Sequence, residues 1–133
     1  MDIHTVDALY VESRYVTCVW ISERAAKALT KLSKSPDVGK LVDKIAYWAE
    51  SGFAKWEGSA GSGRPIVHEW DGVYRLGYKS LHRVLGFYEH DNKHMFIAID
   101  AYLKKKSRLS STERGYIDEV AKVKKYGLWK RRS

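Results

Sequence analysis

The chain has 133 residues, 44% of them hydrophobic, and five Trp, nine Tyr and three Phe supply large side chains for a core. This composition excludes a disordered chain, and the length is typical of one domain, which we predict over residues 1–133. The single cysteine, Cys18, excludes an internal disulfide and a cysteine-based zinc site.

The sequence also lacks membrane and export signals. No apolar stretch approaches the roughly 20 residues that span a bilayer. The start of the chain lacks the basic and apolar blocks of a signal peptide. We therefore expect a cytoplasmic protein that does not associate with membranes.

The formal net charge of +8 is unevenly distributed along the chain. Residues 102–133 contain eleven Lys or Arg and three acidic residues, whereas residues 1–101 contain thirteen of each sign. A concentrated basic segment attracts polyanions through counterion release, and nucleic acid is the commonest polyanion in a cell. The charge pattern therefore predicts a nucleic-acid partner.

The N-terminal half predicts a strand followed by two helices. Residues 1–12 show no clear period and form a leader or a marginal strand, and residues 12–21 are β-branched and aromatic, which is typical of a strand. Ser22 is a candidate N-cap for the first helix. Pro36 interrupts that helix, and the apolar residues that follow recur at helical spacing until Gly52.

The C-terminal half changes to a period of two after a Gly/Ser-rich link at 58–63. Asp71-Gly72 is a typical two-residue hairpin turn, a basic helix covers 110–125, Gly127 ends it, and 128–133 is predicted as a basic tail. The predicted strands are 65–70, 73–79, 81–89 and 94–103. The fold class is therefore α+β: an N-terminal strand and a helical hairpin packed on a four-stranded, mainly antiparallel sheet, with a C-terminal basic helix.

Two arginines on neighbouring predicted strands are the first candidate site residues. Alternation places Arg75 with Val73 on one face of its strand, and Arg83 with Leu85 on one face of the next. Arg83 is unusual because its strand is otherwise apolar or aromatic, and a buried cation needs a partner. It either forms an ion pair, with Glu69 or Glu89, or binds a phosphate through its guanidinium fork.

Lysines follow the last predicted strand directly. Lys104, Lys105 and Lys106, with Arg108 shortly after, form either a solvated loop or one wall of a site shared with Arg83. The histidines have no spacing typical of metal ligands, so no metal or other cofactor is expected.

The same segments resemble the RelE/HigB toxin superfamily, in particular its phage-derived HigB-like branch. The resemblance covers about residues 73–125, and the preceding strand and two helices agree with the family's order of elements. The motifs that carry it are Tyr74-Arg75-Leu76, His82-Arg83-Val84-Leu85-Gly86-Phe87-Tyr88, Tyr102-Leu103-Lys104-Lys105 and Ile117-Asp118-Glu119-Val120-Ala121.

The resemblance implies a RelE-like fold and a metal-independent endoribonuclease that cuts mRNA, either on the ribosome or free of it, inhibits translation and is neutralised by a cognate antitoxin. In such enzymes the 2′-hydroxyl attacks the adjacent phosphate, which requires a base, cations on the phosphorane and an acid. The implied catalytic residues are Arg83, Arg75, Lys104, Lys105 and His82.

The remaining basic residues are predicted to bind the backbone of mRNA or rRNA: Lys79, Lys106, Arg108, Lys122, Lys125 and Lys130. The sequence departs from the family at Gly77, where some relatives carry a second basic residue. It also offers no catalytic Tyr near the C-terminus that aligns. Two alternatives therefore stay open: a non-catalytic nucleic-acid-binding module, and a gyrase-inhibiting toxin of the ParE-like branch.

Overall fold

The structure is a computed structural model that describes residues 3–10, 16–31, 36–52, 57–58, 66–77, 82–89, 92–103 and 111–132. The strands are β1 His4–Tyr10, β2 Cys18–Ser22, β3 Glu57–Gly58, β4 Ile66–His68, β5 Tyr74–Leu76, β6 His82–Glu89, β7 Asn92–Leu103 and β8 Trp129–Arg131. The helices are α1 Glu23–Lys31, α2 Pro36–Ser51 and α3 Ser111–Tyr126. None of these helices has the length and apolarity of a bilayer span.

One mixed sheet connects all the described strands, in the order β3-β4-β5-β6-β7-β2-β1-β8. β4 to β7 form the predicted antiparallel series of four strands. The predicted number of four strands is nevertheless too low. Seven of the described strands have three residues or more, and the two-residue β3 is an additional edge strand. β2 pairs parallel to β7, β8 parallel to β1 and β3 parallel to β4, so the sheet is mixed, with four antiparallel and three parallel pairings among the described strands.

The sheet separates two apolar layers. On the hairpin face, α1 and α2 bury residues such as Leu29 and Trp48 against Val84 and Phe96. On the α3 face, the apolar side of α3 packs on Leu85 and on its neighbours in β7. α3 therefore lies on the opposite side of the sheet from the helical hairpin. Each face of the long central strands β6 and β7 is covered, which explains their nearly continuous apolar sequence.

Several local signals in the sequence are confirmed. The Ser22 hydroxyl accepts a hydrogen bond from the Ala25 N–H at 3.0 Å, so Ser22 caps α1. Asp71 and Gly72 have φ of 52° and 78°, and the Val73 N–H bonds to the Trp70 carbonyl, as a tight hairpin turn requires. α3 ends at Gly127, whose φ is 61°.

Both described ends of the chain belong to the sheet. Residues 4–10, predicted as a leader or a marginal strand, form β1 inside the sheet. The predicted basic tail contains β8, which adds an edge beside β1. Arg131 forms an ion pair with Glu89 and lies 5.0 Å from the Trp20 ring centre, while Arg132 Nε lies 2.6 Å from Asp7 Oδ1. The C-terminal segment is thus part of the folded sheet.

Candidate functional site

Five polar side chains from the sheet and α3 form a cluster at the end of the α3 face where α3 begins. We call Glu69, Arg75, Arg83, Tyr102 and Glu113 the polar cluster. The sheet register brings three of them together. Arg83 is directly opposite Tyr102 on β7, and Arg75 is opposite Leu85, whose side chain is in the core of the α3 face. Directly opposed residues share a face, so both arginines point toward α3.

Glu113 enters the cluster from the first turn of α3. It is only 5% exposed and lies one and two turns before Ile117 and Val120, which are fully buried in the core of the α3 face. The spacing of three and four residues places these three side chains on one side of the helix. The apolar packing of α3 therefore also buries this carboxylate.

The contacts of the cluster combine an ion pair with aromatic packing. Arg75 Nε lies 3.2 Å from Glu69 Oε1, and both side chains are mostly buried. The ring of Tyr102 packs on that of Tyr116 from α3, with 5.2 Å between ring centres. Tyr102 is 8% exposed, and no described residue pairs with its buried hydroxyl. The hydroxyl is therefore a donor whose hydrogen-bonding capacity the described residues leave unused.

Burial and mutual charge set the protonation of the cluster. Burial, and then the neighbouring Arg75, lower the pKa of Arg83 from its ordinary value, while Tyr102, Glu113 and Glu69 oppose that shift. Burial, and then Glu113, raise the pKa of Tyr102, so its phenol stays protonated at neutral pH. With both carboxylates ionised, the two guanidinium charges are formally balanced.

The structure therefore brings together Arg75 and Arg83, two of the five predicted catalytic residues. Of the carboxylates considered for Arg83, Glu69 binds Arg75 and Glu89 binds Arg131, while Glu113 is the acid with the larger electrostatic influence on Arg83. Three residues of the predicted RNA-binding set, Lys79, Lys106 and Arg108, lie outside the described residues. The backbone of His82 starts β6 opposite Leu103, but its side chain is outside the described part of the structure. The predicted catalytic pair Lys104 and Lys105 also lies outside the described residues.

The other predicted RNA-binding residues do not join the cluster. Lys122 and Lys125 are exposed near the C-terminal end of α3, and Lys130 is exposed on the edge strand β8. From Glu113 to Lys125 the helical rise amounts to about 18 Å. Two further basic residues of this segment, Arg131 and Arg132, pair with acids from earlier in the chain. The charge asymmetry of the sequence is thus partly cancelled in space.

Sequence reasoning did not assign a site role to Glu113 or Tyr102, and it considered Glu69 only as an ion-pair partner of Arg83, whereas Glu69 pairs with Arg75. Glu113 lies near the start of the helix that is predicted over residues 110–125. The signal that identifies it is its spacing to Ile117 and Val120, which places an acid on the buried side of α3. Glu69 and Tyr102 have no comparable local signal, because their roles depend on which strands pair.

Comparisons of the chain with protein-family models, with curated proteins and with solved structures give no match. Within the described ranges, no three His, Cys, Asp or Glu side chains form a group that could hold a metal ion. The chemistry of the site must therefore be argued from its own residues.

Proposed function

We propose that the chain is an endoribonuclease toxin of the RelE/HigB kind, which cuts mRNA on the ribosome without a metal and is neutralised by a cognate antitoxin. In support, β4 to β7 form the expected antiparallel series and α3 follows them. The observation that carries the proposal is the convergence of Arg75 and Arg83 with two carboxylates and a protonated tyrosine.

These groups match the needs of transesterification by the 2′-hydroxyl of RNA. A carboxylate of the cluster removes the proton from the 2′-hydroxyl, whose oxygen attacks the adjacent phosphorus. Arg83 and Arg75 stabilise the charge on the phosphorane, and the Tyr102 hydroxyl donates a hydrogen bond to it. The bond from phosphorus to the 5′-oxygen breaks, that oxygen takes up the proton that the carboxylate had removed, and the products carry a 2′,3′-cyclic phosphate and a 5′-hydroxyl.

The internal charge balance limits how a phosphate can enter. A phosphodiester adds a negative charge to two arginines that two glutamates already neutralise, so further positive charge favours binding. In the sequence, Lys104 and Lys105 follow β7 immediately after Leu103, which pairs with the start of β6. We assign these lysines to supplying that charge, as the resemblance implies.

The test is RNA cleavage by the purified protein, with and without ribosomes, followed by mapping of 5′ ends and end-group analysis. Arg83→Ala should lower kcat by about a hundredfold to a thousandfold, because it removes one donor to the transition state. Arg114→Ala removes an exposed arginine from the same end of α3 and serves as the matched control. Equal cleavage by wild type and Arg83→Ala, or products with 5′-phosphates, would contradict the assignment.

A non-catalytic nucleic-acid-binding module is the second candidate, and the charge balance of the polar cluster favours it. The Arg75–Glu69 ion pair and the electrostatic attraction between Arg83 and Glu113 can fix the packing of α3 without any chemistry. This candidate predicts salt-sensitive RNA binding with no strand scission in the same assay.

A further inference from the structure

A groove lies at the opposite end of α3 from the polar cluster. It has a volume of about 700 Å³ and lies between the last turns of α3 and the turn at Asp71. Lys122, Lys125 and Tyr126 line it together with the small side chain of Ala121. The site thus combines cations, two acids and an aromatic ring in a space comparable to small-molecule pockets.

Tyr126 is not held by the core. Its side chain is 56% exposed, and it is absent from the buried residues of the α3 face. The Lys125 ammonium lies 5.4 Å from the centre of its ring, a cation–π distance. An aromatic ring in water beside a cation offers a flat apolar surface and a partner for a negatively charged group.

The turn at the other wall of the groove is fixed close to α3. Gly72 has a φ of 78°, and a Cβ atom there would collide with the Lys124 ammonium. The Trp70 indole N–H donates a hydrogen bond of 2.8 Å to Asp118 of α3. These contacts hold the Asp71 carboxylate next to the lysines of the groove.

We propose that this groove binds one nucleotide of single-stranded RNA, with its base stacked on Tyr126 and its phosphates on Lys122 and Lys125. Asp71 then accepts a hydrogen bond from a ribose hydroxyl or a base amino group. Asp71 and Asp118 repel an acidic peptide and a phosphate alike, but only the nucleotide has a flat base to stack on the exposed Tyr126 ring. A duplex fits less well because its base faces are already stacked.

The inference deepens the proposed function, because the same RNA strand would connect the groove to the polar cluster. The separation of about 18 Å along α3 corresponds to roughly five nucleotides at stacked spacing. The groove would therefore hold the substrate several nucleotides away from the scissile phosphate.

The experiment measures binding of a fluorescent single-stranded RNA of about ten nucleotides, 2′-O-methylated to prevent cleavage, by fluorescence anisotropy. Tyr126→Ala should raise Kd roughly five- to 150-fold, the range for loss of one base–aromatic stack. Tyr126→Phe should bind nearly as wild type. Lys122→Ala should lower the slope of log Kd against log salt by about one.

Two controls separate stacking from general charge attraction. Tyr47→Ala removes an aromatic ring of similar exposure, 52%, from the hairpin face and should leave Kd unchanged. With a strand that is abasic throughout, Tyr126→Ala should also leave Kd unchanged, since only phosphates remain to bind. Free UMP, tested in a separate titration, should show the same dependence on Tyr126 if the groove recognises a single nucleotide.

Wild-type affinity in Tyr126→Ala would overturn the proposal, and so would an equal loss with the abasic strand. Circular dichroism and thermal unfolding exclude misfolding of the variants. The outcome is separate from that of the cleavage test: weakened binding in Tyr126→Ala with no cleavage by the wild type rejects the nuclease alone. Cleavage that depends on Arg83, with unchanged binding in Tyr126→Ala, rejects the groove alone.

Discussion

The two faces of the sheet bury their charges in different ways. On the side of α1, Asp100 is a buried acid that accepts the N–H of the adjacent Ala101 at 2.8 Å. Its ion-pair partner, Arg24, lies at 3.4 Å with a side chain that is 53% exposed. This acid is satisfied by its own strand and by one cation in contact with solvent.

The polar cluster on the α3 face depends instead on several elements at once. Arg75 and Arg83 come from β5 and β6, Tyr102 from β7, Glu113 from α3, and Glu69 from the residues after β4. Arg75 pairs with Glu69 across one hairpin, whereas Arg83 is influenced by Glu113 from a different element, α3. An isolated buried acid such as Asp100 can be stabilised by its sequence neighbours and one cation. A group of charged side chains from several elements is held together only by the fold, and it is therefore the better candidate for a functional site.

The largest expected effect on stability comes from neutralising Glu113, the buried acid of α3. Glu113→Gln should lower the free energy of unfolding by about 2 kcal/mol, because it leaves two half-buried guanidinium groups with one carboxylate fewer. Glu119→Gln on the exposed side of the same helix should change it by less than about 0.5 kcal/mol. Urea unfolding measures both. A Glu113→Gln protein as stable as wild type would remove the contrast between the faces.

Asp100→Asn should have a smaller effect on the free energy of unfolding, and this effect should depend on pH. Burial raises the pKa of Asp100 above its ordinary value of 3.8, and Arg24 opposes the shift only in part. A raised pKa in the folded state means that wild type loses stability, relative to the variant, as pH rises from below 3.8 through that raised pKa.

Urea unfolding of wild type and Asp100→Asn over a pH series checks this sign. The stability difference should move in favour of Asp100→Asn as pH rises and then level off, since other titrating groups cancel between the two proteins. A difference that is constant with pH, or that favours wild type increasingly, would show that Arg24 dominates over burial.

Local features of the fold were predictable because they depend on neighbours in sequence. The cap at Ser22, the turn at Asp71-Gly72 and the helix end at Gly127 follow from the chemistry of one or two residues. The shared face of Arg75 and Arg83 follows from strand alternation together with the pairing of adjacent strands.

The position of β2 and β8 in the sheet could not be predicted, because it depends on pairing between strands that are far apart in sequence. β8 has three residues, two of them exposed and basic, so its sequence carries no strand period. β2 lies parallel to β7 although most of the chain separates them, and no local pattern specifies that neighbour. Arg131 and Arg132 were predicted to lie in a basic tail, and the position of β8 in the sheet brings them to Glu89 and Asp7.

The smallest expected change in stability comes from a substitution that affects α3 but not the polar cluster. Gly115 lies in α3 with an exposed position, and a Cβ atom there would meet nothing within 4 Å. Gly115→Ala should raise the free energy of unfolding by about 0.5–1 kcal/mol through helix propensity alone. Because this substitution adds no contact to Glu113, its effect should add to that of Glu113→Gln within about 0.5 kcal/mol. Strong non-additivity in urea unfolding of the double variant would mean that the cluster acts mainly by ordering the first turn of α3. The difference between the polar cluster and the locally satisfied Asp100 would then be a difference in helix stability and not in buried charge.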